Sequence, residues 1–285
     1  MPGMDAPLPK QTIALGTYQA AYLDWSVGAI ADRADRNAPI VLLLHGFLGE
    51  GRMWRSVAEA LAAAGIRCIA LDLLGFGDSS KPRLKYVIDH QVQFVSEFVH
   101  AMDLPPLVLV GYSYGGWAAA ASAIAQSIAL RGLGLVAPAG IRDDQFAGRY
   151  RHLRPLLWET RWIDRLLNAS QPLARWLGKS TDWDNLDRIR QTLKEQPVAR
   201  SFLLDRWRPE DAIDTVETQL HRISVPALVI AADRDETIPL WHVELYGDRI
   251  PNARLERLPD ADHSLLATHA PIVAQHIQTF LAQLS

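Results

Sequence analysis

Residues able to cross-link or anchor this chain are scarce. It has one cysteine, Cys68, so no disulfide can form within it, and a small disulfide-framed scaffold is excluded. Cys68 lies inside the apolar run Ile66–Leu71, where a thiol is ordinarily a buried strand residue rather than a reactive one. Long uninterrupted hydrophobic runs are missing too. The alanine-rich stretch 117–130 is broken by Ser122, Gln126 and Ser127, and it reads as a core helix rather than a membrane span. Residues 1–10 lack the basic patch and apolar run of a secretory signal, so a soluble, cytoplasmic protein is expected. No excess of one charge exists either. A net charge of -3 gives no electrostatic case for nucleic acid or an anionic membrane surface as partner. Nine histidines are present, but no two have the H-x-x-x-H spacing that sets a pair of ligands on one helical face. No metal and no cofactor are expected. The anticipated partner is a small molecule, bound by a monomer or homodimer.

What is present is organised around Val108-Leu-Val-Gly-Tyr-Ser-Tyr-Gly-Gly-Trp117. The apolar run Leu107–Val110, bounded by Pro105 and Pro106, reads as a strand buried on both faces. The alanines from Ala118 to Ala125 are strong helix formers. Between them, Gly111-Tyr-Ser-Tyr-Gly115 is a G-x-S-x-G elbow in the strand–turn–helix setting that motif requires. So short a turn strains the backbone of Ser113, and glycines two residues before and after let neighbouring chain approach without a Cβ clash. The hydroxyl then stands at a helix N-terminus, where backbone N–H groups favour developing negative charge.

At 285 residues the chain fits one large α/β domain with an insertion. Residues 12–27 look like a pair of antiparallel edge strands around Gly16. From Pro39 strands alternate with helices: a strand at Ile40–Leu44, a helix marked by Met53, Val57, Leu61 and Ala64, and a strand at Ile66–Leu71. A helix through Ile88, Val92, Val95, Val99 and Met102 follows, then the elbow, then a strand over Gly132–Ala137. Alternation stops near Ile141. Residues 141–215 show no convincing strand, hold five of the nine tryptophans, and are divided by Pro155, Pro172 and Pro197 into short helices. They read as a helical cap inserted into a core of residues 1–140 and 216–285. The alternation resumes with strands at Ala227–Ala231 and Ala253–Leu258. Pro271 opens a last helix with Ile272, Val273, Ile277, Phe280 and Leu284 on its buried side. Continuous apolar strands between helices argue a mainly parallel sheet covered on both faces. Ligands on such sheets bind beyond the strands' carboxyl ends, where His45, Asp72, Ser113 and Ala137 all stand.

A serine hydroxyl is a weak nucleophile and needs a base, itself oriented by a third group. Only His263 lies in a loop directly after a late strand; His269 and His276 belong to the final helix region, and the rest read as surface or packing residues. For the orienting acid, Asp233 and Asp235 both follow the preceding strand. Asp235, four residues before Pro239, is better placed in the turn, and Asp233 reads as solvated.

These motifs resemble the α/β-hydrolase fold superfamily, in its capped, esterase-like branch. His45-Gly46-Phe47, Asp72-Leu-Leu-Gly-Phe-Gly-Asp-Ser79, Gly111-Tyr-Ser-Tyr-Gly115, Asp235…Pro239 and Asp262-His263 stand in that family's order, and the likeness runs from about residue 12 to the C-terminus. The resemblance implies an eight-stranded, mainly parallel sheet flanked by helices. It also implies Ser113 as nucleophile, His263 as base and then acid, and Asp235 as the group fixing the imidazole tautomer. The backbone N–H groups of Phe47 and Tyr114 would form the oxyanion hole. Phe47 and Tyr112, with Trp158 and Trp162 of the cap, are expected to line the substrate pocket. The implied activity is hydrolysis of carboxylic esters of apolar or aromatic small molecules. Two alternatives stay open: carbon–carbon bond hydrolysis of the ring-cleavage-product type, whose members typically carry Asn where Tyr112 stands, and a ligand-binding homologue with little turnover. An aspartate nucleophile, as in haloalkane dehalogenases, is argued against by Ser113. Asp262 departs from the glycine common before the final histidine, so its carboxylate either raises the pKa of the base or points to solvent.

Overall fold

The computed structural model describes residues 8–25, 40–143, 161–177, 183–184, 190–191, 195–205 and 214–284. The chain forms two compact units, Met1–Ser80 with Val87–Ile141 and Asp214–Ser285, and Lys81–Tyr86 with Arg142–Ile213. Residues 81–86, read from sequence as part of the core, thus group with the second unit.

The first unit is built on strands β1 (Gln11–Leu15), β2 (Tyr18–Trp25), β3 (Ile40–Leu44), β4 (Arg67–Leu71), β5 (Leu107–Tyr112), β6 (Leu130–Val136), β7 (Ala227–Ala232) and β8 (Ala253–Leu258). They form an eight-stranded sheet in the order β1-β2-β4-β3-β5-β6-β7-β8. The β1–β2 and β2–β4 pairs are antiparallel and the other five are parallel. Every residue of β3, β5 and β7 is buried, as strands covered on both faces must be. From sequence both β1 and β2 are expected at the edge; β2 in fact pairs on both sides, because β4 comes back beside it. The hairpin is visible in sequence, the return of a distant strand is not.

The helices of this unit are α1 (Arg55–Ala63), α2 (Ile88–Ala101), α3 (Tyr114–Ala125), α6 (Leu240–Arg249), α7 (Leu265–Thr268) and α8 (Ala270–Gln283). A 3-10 turn at Gly51–Trp54 precedes α1. It shifts the helical phase, so Trp54, Val57, Ala58 and Leu61 are buried while Met53 is 39% exposed. Ala64 is likewise outside the core, and Gly65 ends the helix with a positive φ of 81°. In α8 the buried residues are Ala270, Val273, Ala274, Ile277, Phe280 and Leu281, while Ile272 is 41% exposed and Leu284, just past the helix, is half-buried. Helix α3 stops at Ala125, with Gln126 left-handed, so the alanine-rich stretch yields both a helix and the approach to β6. Cys68 is fully buried and its thiol is pushed up to about 12, chiefly by burial. It stays a protonated core group.

In the second unit the described residues include α4 (Arg161–Trp176) and α5 (Pro197–Asp205). Pro172 lies inside α4 rather than dividing two helices. Pro197 opens α5, where its missing N–H costs no hydrogen bond. The Trp183 indole donates to Ser170 Oγ at 3.1 Å, and the Tyr86 N–H donates to Ser201 Oγ at 2.8 Å. Among the described residues no helix is long and apolar enough to cross a membrane.

Candidate active site

The strand order turns round between β3 and β5, the place where crevices open in sheets of this kind. The turn after β5 holds Ser113. Its backbone lies at φ 53°, ψ -115°, a region that costs a non-glycine residue about 1–3 kcal/mol. The surroundings fix it there. Ser113 N–H donates to the Val136 carbonyl at 2.9 Å, and its own carbonyl accepts the N–H groups of Trp117 and Ala139 at 3.1 and 3.0 Å. Clearance explains the glycines. A Cβ on Gly111 would stand 2.1 Å from the Gly115 carbonyl oxygen, and one on Gly115 would stand 2.3 Å from that of Leu44. No side chain fits at either position.

His263 and Asp235 meet Ser113 across the sheet end. Ser113 Oγ lies 3.1 Å from His263 Nε2, and His263 Nδ1 lies 2.7 Å from Asp235 Oδ2. Asp235 is buried, and its other oxygen accepts the N–H groups of Thr237 and Ile238, each at 2.8 Å. A carboxylate only accepts, so the imidazole hydrogen belongs on Nδ1 and Nε2 is left to accept from the serine hydroxyl. The structure brings these three predicted residues into one hydrogen-bonded chain. The competing Asp233 is instead held by the Arg257 guanidinium at 2.9 and 3.1 Å. Asp262 is exposed and accepts the Ser264 N–H at 2.8 Å. Its carboxylate therefore caps its own turn at the surface.

The loop after β3 is held from below. His45 is fully buried; its Nδ1 donates to the Gly46 carbonyl at 2.8 Å and its Nε2 accepts the Leu73 N–H at 3.0 Å. It thereby ties the Gly46–Phe47 loop to the turn after β4. In that turn Asp72 is buried and accepts the N–H groups of Gly51 and Asp78 at 2.6 and 2.8 Å, with Lys10 Nζ at 2.6 Å. Lys10 also reaches Glu50 at 2.5 Å and Asp78 at 2.7 Å. This cluster escapes sequence reading, since nothing local connects residue 10 with residues 50, 72 and 78. Its burial is the signal: Asp72 is an acid at the end of an apolar strand, and such a group needs several donors. The Phe47 and Tyr114 rings, on the two residues expected to supply oxyanion donors, lie 5.9 Å apart with Phe76 against both. A Cβ on Gly46 would fall 3.4 Å from Ser113 Cβ, so this loop runs directly beside the elbow.

Of the residues expected to line a pocket, Phe47 is half-buried, whereas Tyr112 is buried with its ring against His263. That places Tyr112 behind the base rather than at a pocket wall. Trp158 and the side chain of Trp162 lie outside the described residues.

Burial lowers the pKa of His45, against the opposing bond to the Gly46 carbonyl and the charge of Asp72. The unfolded chain then takes up the proton more readily than the folded one. His45 is thus expected to contribute fully above about pH 6.5, with stability lost below it at up to about 1.4 kcal/mol per pH unit until the folded imidazole titrates. Urea midpoints between about pH 7.5 and pH 5 should fall more steeply for wild type than for a His45→Gln variant. Equal slopes would remove His45 as the source.

A family model described as alpha/beta hydrolase fold matches residues 39–270. The chain is 24% identical to the 2-hydroxy-6-oxo-6-(2'-aminophenyl)hexa-2,4-dienoic acid hydrolase of Metapseudomonas resinovorans, over 93% of each chain. It is 26% identical to the pimeloyl-acyl-carrier-protein methyl ester esterase of Aeromonas hydrophila, over 85% of this chain and 95% of that one. Among solved structures, a thermophilic esterase from Thermogutta terrifontis is similar in fold, with a TM-score of 0.71 at 22% identity over 97% of this chain and 99% of that one.

Proposed function

The chain belongs to the α/β-hydrolase fold family, and on that footing we propose that it is a serine hydrolase cleaving carboxylic esters of apolar or aromatic small molecules. The observation that carries this reading is the Ser113–His263–Asp235 chain of hydrogen bonds at 3.1 and 2.7 Å. Ser113 Oγ bonds to the ester carbonyl carbon as its proton passes to His263 Nε2 and the carbonyl electrons move onto oxygen. The backbone N–H groups of Tyr114 and Phe47 take up that oxyanion; one such donor is worth about 3–4 kcal/mol in comparable sites. The tetrahedral adduct collapses, the alcohol leaves with the proton from His263, and water repeats the sequence to release the acid and restore Ser113. Asp235 keeps the imidazole in the tautomer that accepts at Nε2.

The apolar preference rests on the aromatic group beside the oxyanion loop. Phe47, Phe76 and Tyr114 pack within 5.6–5.9 Å of one another, and Trp117 adjoins Tyr114 at 5.9 Å. Carbon–carbon bond hydrolysis is the second reading, favoured by likeness to the Metapseudomonas hydrolase over 93% of both chains. The two separate in one set of assays. Multiple turnover of p-nitrophenyl esters from acetate to octanoate, with kcat/KM rising along the series, is expected. No ester turnover beside steady cleavage of a vinylogous 1,5-diketone acid would favour the second. A single acylation burst with no further turnover would favour a ligand-binding homologue.

A further inference from the structure

Tyr112 is the last residue of β5, immediately before the serine, and its side chain is 4% exposed. Its hydroxyl donates to the backbone carbonyl oxygen of His263. Its ring lies 5.2 Å from the His263 imidazole, tilted by 33°. The indole of the fully buried Trp54 meets Tyr112 edge-on at 6.5 Å, on the core side. On a third side, a Cβ added to Gly46 would stand 2.9 Å from Tyr112 Cε1, so the ring also fills the space beneath the loop that carries Phe47. One side chain therefore touches the histidine's backbone, the histidine's ring and the loop next to the elbow, and its own Cα adjoins Ser113.

From this arrangement we infer that Tyr112 is a positioning residue: through its hydroxyl it sets the depth of the His263 loop over Ser113, and through its ring it spaces that loop from Gly46. The inference rests on the reading of His263 as the base. The loop needs such a support. Leu258, Ala261 and Leu265 anchor it in the core, but Asp260, Asp262 and Ser264 are exposed and His263 only half-buried. Its other polar ties run to neighbouring loops and the surface: the His263 imidazole to Asp235 at 2.7 Å, the Arg234 N–H to the Ala261 carbonyl at 2.9 Å, the Asp262 cap, and the pairing of Asp260 with Arg234. Tyr112 adds a tie from a buried central strand to the backbone carbonyl of residue 263, where Asp235 and Ser113 hold only its ring. Burial, with Asp235 and Asp262 nearby, pushes the phenol's pKa up, so the hydroxyl keeps the proton it donates. A displaced base loses in-line reach to the serine, and a misplacement of about 1 Å costs up to about a hundredfold in rate.

Tyr112→Phe removes the hydroxyl and keeps the ring. On a p-nitrophenyl ester, kcat is expected to fall by about 10- to 100-fold with KM within twofold of wild type. Inactivation by a fluorophosphonate should slow by the same factor, because it needs the same serine–histidine geometry without substrate turnover. Both rates are taken at least ten degrees below the measured Tm of each variant, so that unfolding does not contribute. If kcat and the fluorophosphonate rate stay at wild-type values while only Tm falls, Tyr112 is a packing residue and the inference fails. His263→Ala is run alongside. Full turnover by that variant would sink the base assignment itself, whereas its loss beside an unaffected Tyr112→Phe would sink only the inference.

Discussion

Ser113→Ala is expected to lower kcat for an ester by about ten-thousand-fold to a million-fold, with the fold and KM little changed. The loss is large because, in the proposed mechanism, the hydroxyl and the imidazole act as one unit. Once the oxygen that attacks is gone, His263 has no proton to accept, and only the preorganised N–H groups still favour the transition state. Labelling by a fluorophosphonate should vanish with it. Turnover at the wild-type rate would end the covalent mechanism. Ser113→Gly makes a sharper companion. It should be as inactive, yet more stable than the alanine variant by about 1 kcal/mol, because glycine accepts φ 53°, ψ -115° without the strain any other residue pays there. Thermal melts of the pair test this; an alanine variant at least as stable would mean that the elbow stores no strain.

Asp235→Asn is expected to cost about a thousand- to ten-thousand-fold in kcat, although it changes one atom. The direction of the effect is set by the backbone. Thr237 and Ile238 both aim N–H groups at the oxygen facing away from the histidine, so the amide of an asparagine must turn its carbonyl toward them. Its NH2 then faces His263 Nδ1, and a donor at that point makes Nδ1 an acceptor. The ring hydrogen moves to Nε2, where the Ser113 proton has to go. Fold and Tm should stay close to wild type, since the group remains hydrogen-bonded on both sides. An asparagine variant within tenfold of wild type, with circular dichroism unchanged, would show that the carboxylate does not set the tautomer.

The elements that position this site were legible because each is written locally. Gly111, Ser113 and Gly115 sit between an apolar run and an alanine run, and His263 follows the last strand directly. Asp235 was separable from Asp233 by its place in the turn, and the structure gives the separation its cause in the Arg257 pair. What escaped depends on residues far apart. The interior position of β2, the Lys10 cluster and the seat of Tyr112 under residue 263 all require knowing which distant segment comes back where. Met53 and Ile272 were misassigned for a different reason. A 3-10 turn before α1 puts Trp54 rather than Met53 on the buried side, and Ile272 stands one residue, about 100° of helix, away from the buried stripe of Val273, Ile277 and Phe280.

The close approaches around the elbow bear on how this scaffold can be changed. Gly46, Gly111, Gly115 and Gly116 each leave less than 3 Å for an added carbon, so variants there will be filtered out by misfolding before their chemistry is ever sampled. Mutational libraries built on this scaffold should hold those four invariant.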